Sequence, residues 1–157
     1  MPLSFFQWCE TTWIGQGISD SVWLFGAIEG IHLLGLCLLG GSLLILDLRL
    51  LGFGLTAQPI AEVARGAKRW MVAGITTMAA TGIPLFLSEA VKCYYNPSFW
   101  VKISTLPIAL LFTFAVRQRI AANPALVTSF KSRSVAVVSL ALWFTVAAAG
   151  RWIGFSS

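Results

Sequence analysis

Charge is what this sequence has least of. Asp, Glu, Lys and Arg make up 11% of its 157 residues, against 57% hydrophobic residues, where a soluble domain carries about 25% charge. So few charges cannot cover a water-facing surface, which excludes a soluble globular fold. Histidine occurs once, at His32, and cysteine three times, at Cys9, Cys37 and Cys93, with no Cys-x-x-Cys. A zinc knuckle and covalent c-type haem are therefore not signalled, and a four-histidine di-haem carrier is excluded. No nucleophile elbow, P-loop or Gly-rich dinucleotide turn is present, so an enzyme acting alone is not expected. The first twenty residues lack a basic n-region and are interrupted by Gln7, Glu10, Thr11 and Thr12, which argues against a cleavable signal peptide.

Long apolar runs are what is there. A membrane span needs about 20 mostly apolar residues, and four stretches qualify, at about 22–46, 70–91, 99–116 and 134–155. Polar, Gly- or Pro-containing connections separate them: "GFGLTAQPIAEVARGAKR" with room for a short surface helix, the tight turn "CYYNPS", and "RQRIAANPALVTSFKSR". Ahead of the first span, Phe5, Phe6, Trp8 and Trp13 sit among polar residues, as in a segment lying in the membrane interface. Asp20 or Ser21 suits the N-cap of the span that follows. The expected fold is all-α and integral to the membrane: one domain over 1–157, an up-down four-helix transmembrane bundle with an N-terminal interfacial segment.

The eleven cations are distributed unequally. Arg49, Arg65, Lys68 and Arg69 belong to the first connection, and Arg117, Arg119, Lys131 and Arg133 to the third. Only Lys92, Lys102 and Arg151 belong to the opposite side. The positive-inside rule then places the two basic connections in the cytoplasm and both termini outside, periplasmic in a bacterial inner membrane. The same distribution explains the net charge of +5 without nucleic acid as a partner; the expected partners are the lipid bilayer and a second copy or a larger membrane complex. Cys9 and Cys93 share the outer side, where a disulfide and two unpaired thiols are both open readings; the thiols are the simpler one.

Helical spacing gathers the polar and small residues into stripes. Span one carries Gly26, Glu29, His32, Leu36, Gly40, Leu43 and Asp47; span two carries Trp70, Gly74, Thr77, Met78, Thr81, Ser88, Glu89 and Lys92. Span three offers Lys102, Thr105, Ala109 and Thr113; span four offers Leu140, Phe144, Ala147, Ala148 and Arg151. Faces of this kind look inward in a membrane bundle. His32 then lies about 15 Å below the outer start of span one, beneath a cluster of Glu29, Glu89, Lys92, Lys102 and Arg151. Glu29–Arg151 and Glu89–Lys102 are candidate buried pairs. Asp47, near the inner end of span one, reads as an interfacial anchor paired to a neighbour.

Three readings follow. A mid-depth imidazole in such a bundle can ligate haem b. His32 is then the metal ligand, Met78 a candidate sixth ligand, Glu29 an orienting group, and Lys102 and Arg151 partners for the propionates, in electron transfer or redox sensing. The alternative is a transporter or accessory subunit in which Glu29 and His32 exchange protons and Lys102 and Arg151 hold a small anion. The third is a structural subunit. The Glu-x-x-His spacing of Glu29 and His32 is half of what a carboxylate-bridged metal bundle needs.

The stretches "EGIHLLGLCLLGGSLLILDLRLLG", "AATGIPLFLSEAVKCYYNPSFWVKIS" and "AGRWIGF" resemble a family of small, uncharacterised bacterial inner-membrane proteins with four spans. The resemblance covers nearly the whole chain. It includes His32, the Asp47-x-Arg49 end, the Asn96-Pro97-x-Phe99 turn with Lys102, and Gly150-Arg151. More distantly, such bundles are similar to the copper-resistance D and cytochrome b561-like families. That similarity implies haem b or copper, although the additional histidines of those families are missing here.

Overall fold

A computed structural model describes residues 3–123, 127 and 129–155. Eight α-helices are described: α1 (Leu3–Glu10), α2 (Trp13–Ser19), α3 (Val22–Leu51), α4 (Ile60–Ser88), α5 (Ala90–Tyr95), α6 (Pro97–Phe112), α7 (Gln118–Ala122) and α8 (Ser129–Phe155). A π-helical turn, Thr113–Arg117, joins α6 to α7 without a break. Four stretches are long and apolar enough to cross a membrane: Val22–Leu51, Ile60–Ser88, Pro97–Ala122 and Phe130–Phe155. They pack against one another, as a multi-pass membrane protein requires.

The helix ends are written locally. Ser21 caps α3 by accepting the Leu24 N–H, and Gly52 ends it in the left-handed region at φ 92°, where a residue without Cβ is unstrained. Asn96 caps α6 by accepting the Ser98 N–H, with Pro97 as the first helical residue. Glu10 reaches from α1 to accept the Val91 N–H at 2.8 Å, which puts a carboxylate on the N-terminus of α5.

All four expected spans are extended at their basic ends. At α3 this happens because Asp47 and Arg49 continue the helix rather than stop it. Residues 60–69, expected in the connection, are instead the first turns of α4. α3 is 30 residues long, about 45 Å at 1.5 Å per residue, so it outruns a hydrocarbon core of about 30 Å. The expected Asn-Pro break in the third connection falls partly outside the described residues, at Pro124.

α3 lies along α4, α6 lies along α8, and α3 closes the bundle against α8. Two glycines set the α3–α4 crossing. A Cβ on Gly74 would stand 2.7 Å from the Leu39 N, and one on Gly35 would stand 2.9 Å from Thr77 Cγ2. Such close backbone approach is how membrane helices gain packing without a hydrophobic drive. In this antiparallel register Leu44 stands level with Arg69, and Leu24 nearly level with Glu89. About 20 residues separate the two levels on each helix, the thickness of the hydrocarbon core. Trp70 and Trp23 are exposed close to the two levels, as interface aromatics are.

The core has three parts. Leu46, Leu50, Val63, Ala64, Ala121, Val135 and Ala136 fill the basic end. Leu39, Leu43 and Met71 fill the middle, with Met78 and Trp143 against them. Phe6, Cys9, Ala90, Cys93 and Phe99 fill the opposite end, expected to face outward. The N-terminal segment is thus two short helices docked on that end. Phe6 is buried among Phe86, Tyr94, Phe99 and Trp100, while Phe5, Trp8 and Trp13 are exposed, in keeping with an interfacial position. Cys9 and Cys93 share this cluster as free thiols, without the disulfide.

Candidate functional site

His32 is half-buried on α3, and its ring is fixed from α4. His32 Nδ1 lies 2.7 Å from Thr81 Oγ1. Thr81 spends its only proton on the Thr77 carbonyl, 2.6 Å away, so Thr81 can only accept and Nδ1 carries the hydrogen. In the neutral ring, Nε2 is left with its lone pair. The ring also sits over Gly82, where a Cβ would come within 3.1 Å of Cε1. The absence of a side chain there makes room for the imidazole.

Lys102 enters the same half of the bundle from α6. Its side chain lies along Gly150 of α8, whose added Cβ would be 3.4 Å from Nζ. Lys102 is half-buried, and no carboxylate or other acceptor among the described residues pairs with its ammonium. It is also the charged group within electrostatic reach of the His32 ring. His32 and Lys102 therefore lie in the same half of the bundle, each seated against a glycine of a neighbouring helix, Gly82 of α4 and Gly150 of α8.

The rest of the expected cluster separates. Glu29 is exposed on the outside of α3, although it is one turn from His32 in sequence. The buried ridge of α3 runs through Gly35, Leu39, Ser42, Leu43, Leu46, Asp47 and Leu50, and continued outward it passes His32 and leaves Glu29 to one side. Arg151 is exposed and stacks on the Phe155 ring, 4.1 Å from its centroid, so it forms no pair with Glu29. Glu89 pairs with Lys92 at 3.3 Å instead of Lys102, because α5 begins at once and places the two an i, i+3 step apart. Met78 packs against the middle core of Leu39, Leu43 and Met71, about one turn below the imidazole, which meets Thr81 and Gly82. The span-four stripe is rotated from its expected face: Phe144 is exposed, and Ser132, Ala136, Ser139 and Val146 are buried.

The strongest polar constellation lies at the other end. Asp47 and Arg117 are both fully buried and form an ion pair through Arg117 Nε and Asp47 Oδ1. Arg117 Nη2 donates to the Leu43 carbonyl at 2.9 Å, and Ser139 donates to Asp47 Oδ2 at 2.8 Å. Nearby, Trp143 Nε1 donates to Thr113 Oγ1 at 2.9 Å. The π-helical turn spans Thr113 and Arg117, and its extra residue per turn re-aims the residues after it. Asp47 is therefore paired, as expected, and the pair is fully buried between helices rather than exposed at their surface. From the sequence Arg117 reads only as a loop cation, and nothing in a hydropathy pattern shows that a π turn will carry it inward. Ser139, a lone hydroxyl in an apolar run, was the legible signal.

Among the described residues no three His, Cys, Asp or Glu side chains are grouped so as to hold a metal ion. Comparison with curated proteins and with solved structures returns no match. Residues 5–156 match the model of a family of unknown function, DUF6644, and the chain belongs to that family.

Proposed function

We propose that this chain is a membrane transporter, or the accessory subunit of one, whose outer-half site between His32 and Lys102 holds a small anion. One observation carries the reading: a half-buried ammonium without a carboxylate lies in the same half of the bundle as an imidazole whose Nδ1 is held by Thr81, leaving Nε2 for a ligand. A cation inside a bundle is costly unless an anion accompanies it. Lys102 supplies fixed positive charge, and Thr81 orients the ring so that Nε2 can give or take the proton that travels with the anion. Glu29 and Arg151, on the outside, have no part in it.

The test is anion-driven flux into proteoliposomes, using chloride, nitrate and phosphate as probes and a trapped pH dye. Lys102→Met is expected to abolish flux, and His32→Asn to uncouple it from protons. Glu29→Gln is expected to change nothing. Flux that survives Lys102→Met overturns the reading.

Haem b ligation by His32 is the second reading. It is favoured by the Thr81 bond, since a metal-binding histidine has its other ring nitrogen held by a neighbour in this way, and by the resemblance to cytochrome b561-like bundles. As a complete haem site the expected residues do not fit: Met78 is packed in the core, and Glu29 and Arg151 lie outside. What fits is His32, with Lys102 near it. A visible spectrum of protein purified with haem supplied, oxidised and then reduced, decides it: a Soret band lost in His32→Ala supports haem, and a colourless wild type removes it.

A further inference from the structure

A groove of about 540 Å³ runs along the outer face of the α3–α4 pair, away from His32. Gly41 and Ile45 line it from α3, Gly66 and Trp70 from α4, and Glu62 and Arg69 stand at its mouth. All six are at least partly exposed. No atom lies within 4 Å of where a Cβ on Gly41 or Gly66 would be, so the hollow is open space beside these two glycines.

The order of chemistry along the membrane normal is specific. Arg69 and Trp70 mark the hydrocarbon boundary on the basic side. Gly41 lies about 5 Å deeper than Leu44, which is level with Arg69, and Glu62 lies about 10 Å further out along α4, seven residues at 1.5 Å each. A molecule in the groove thus meets apolar wall, then a guanidinium, then a carboxylate. A glycerophospholipid of that leaflet presents acyl chain, then phosphate, then headgroup. With one cation and one anion at the mouth, the complementary headgroup is zwitterionic with a free amine, because a net-anionic headgroup would leave Glu62 facing negative charge. Arg is the side chain suited to a phosphate, and the amine is a donor suited to the carboxylate.

We propose that this groove binds one phosphatidylethanolamine-type lipid, with its upper acyl chain along Gly41, its phosphate on Arg69 and its amine on Glu62.

Native mass spectrometry of the detergent-purified full chain tests this, with phosphatidylethanolamine and phosphatidylglycerol of matched acyl chains as probes. The wild type is expected to retain phosphatidylethanolamine in preference. Arg69→Gln should weaken both lipids about tenfold, the weight of one charge-assisted hydrogen bond. Glu62→Gln should weaken phosphatidylethanolamine alone and erase the preference. Gly41→Leu, whose Cβ meets nothing within 4 Å, projects into the groove and should exclude both. Equal or stronger retention of phosphatidylglycerol by the wild type overturns the proposal. So does lipid retention unchanged in Gly41→Leu, or a dimer that Gly41→Leu dissociates.

Discussion

Replacing Asp47 by Leu is the severest single perturbation the structure identifies. Asp47 and Arg117 are both fully buried. Without the carboxylate, Arg117 keeps the Leu43 carbonyl and a long contact of 3.9 Å to Met71 Sδ, and its charge has no counter-ion. Ser139 loses its acceptor as well. Breaking a buried pair from one side costs about 3–5 kcal/mol. At about 2–4 °C per kcal/mol for a chain of this size, the apparent Tm should fall by roughly 6–20 °C. Removing both charges, in Asp47→Leu with Arg117→Met, leaves no orphan and should recover most of the loss. A double-mutant cycle measured by tryptophan fluorescence melts in detergent isolates the coupling, with Glu89→Gln, which breaks the half-exposed Lys92 pair, as a control worth about 0.2–1 kcal/mol. If Asp47→Leu costs no more than that control, the pair does not fix the basic end of the bundle and the reasoning fails.

Two further outcomes follow from the packing. Gly74→Ala drives a Cβ to 2.7 Å from the Leu39 backbone and should cost about 1–3 kcal/mol, whereas Gly66→Ala, which meets no neighbouring atom within 4 Å, should be neutral or stabilising; equal melting of the two variants refutes the crossing. Burial, reinforced by Glu89, pushes the Cys93 thiol up from 9.0 to about 11. The unfolded thiol ionises first, so this stabilisation is complete below pH 9 and is lost as pH rises to about 11. The loss is about 2–3 kcal/mol at 1.36 kcal/mol per unit, and Cys93→Ala should flatten the alkaline limb of a Tm–pH profile; an unchanged limb refutes it.

The membrane class and the four spans were legible because apolar length and scarce charge are additive along a chain and need no partner. The cap of α3 was legible for the same reason: Ser21, one of the two candidates with Asp20, acts on its own helix start. The inward position of His32 and Lys102 was also legible, and so were Gly74, Thr77, Met78 and Thr81 on α4. The failures share one cause. A stripe drawn at a fixed angle assumes a straight helix with neighbours along its whole length. Glu29 misses the interior because the outer turns of α3 run clear of the face that α4 and α8 cover. Arg151 and Phe144 miss it because the face of α8 is chosen by Ser139 and Trp143, whose partners Asp47 and Thr113 are on other helices. Arg117 reaches the interior only through a π turn.

The sequence by itself therefore determined that this chain carries four helices able to span a membrane, in which order, and which half holds its lone imidazole. Only the tertiary structure decided which charges meet. An ion pair depends on the rotation of two helices at once, and that rotation is set by close contacts, Gly74 on Leu39 and Gly35 on Thr77, between residues distant in the chain.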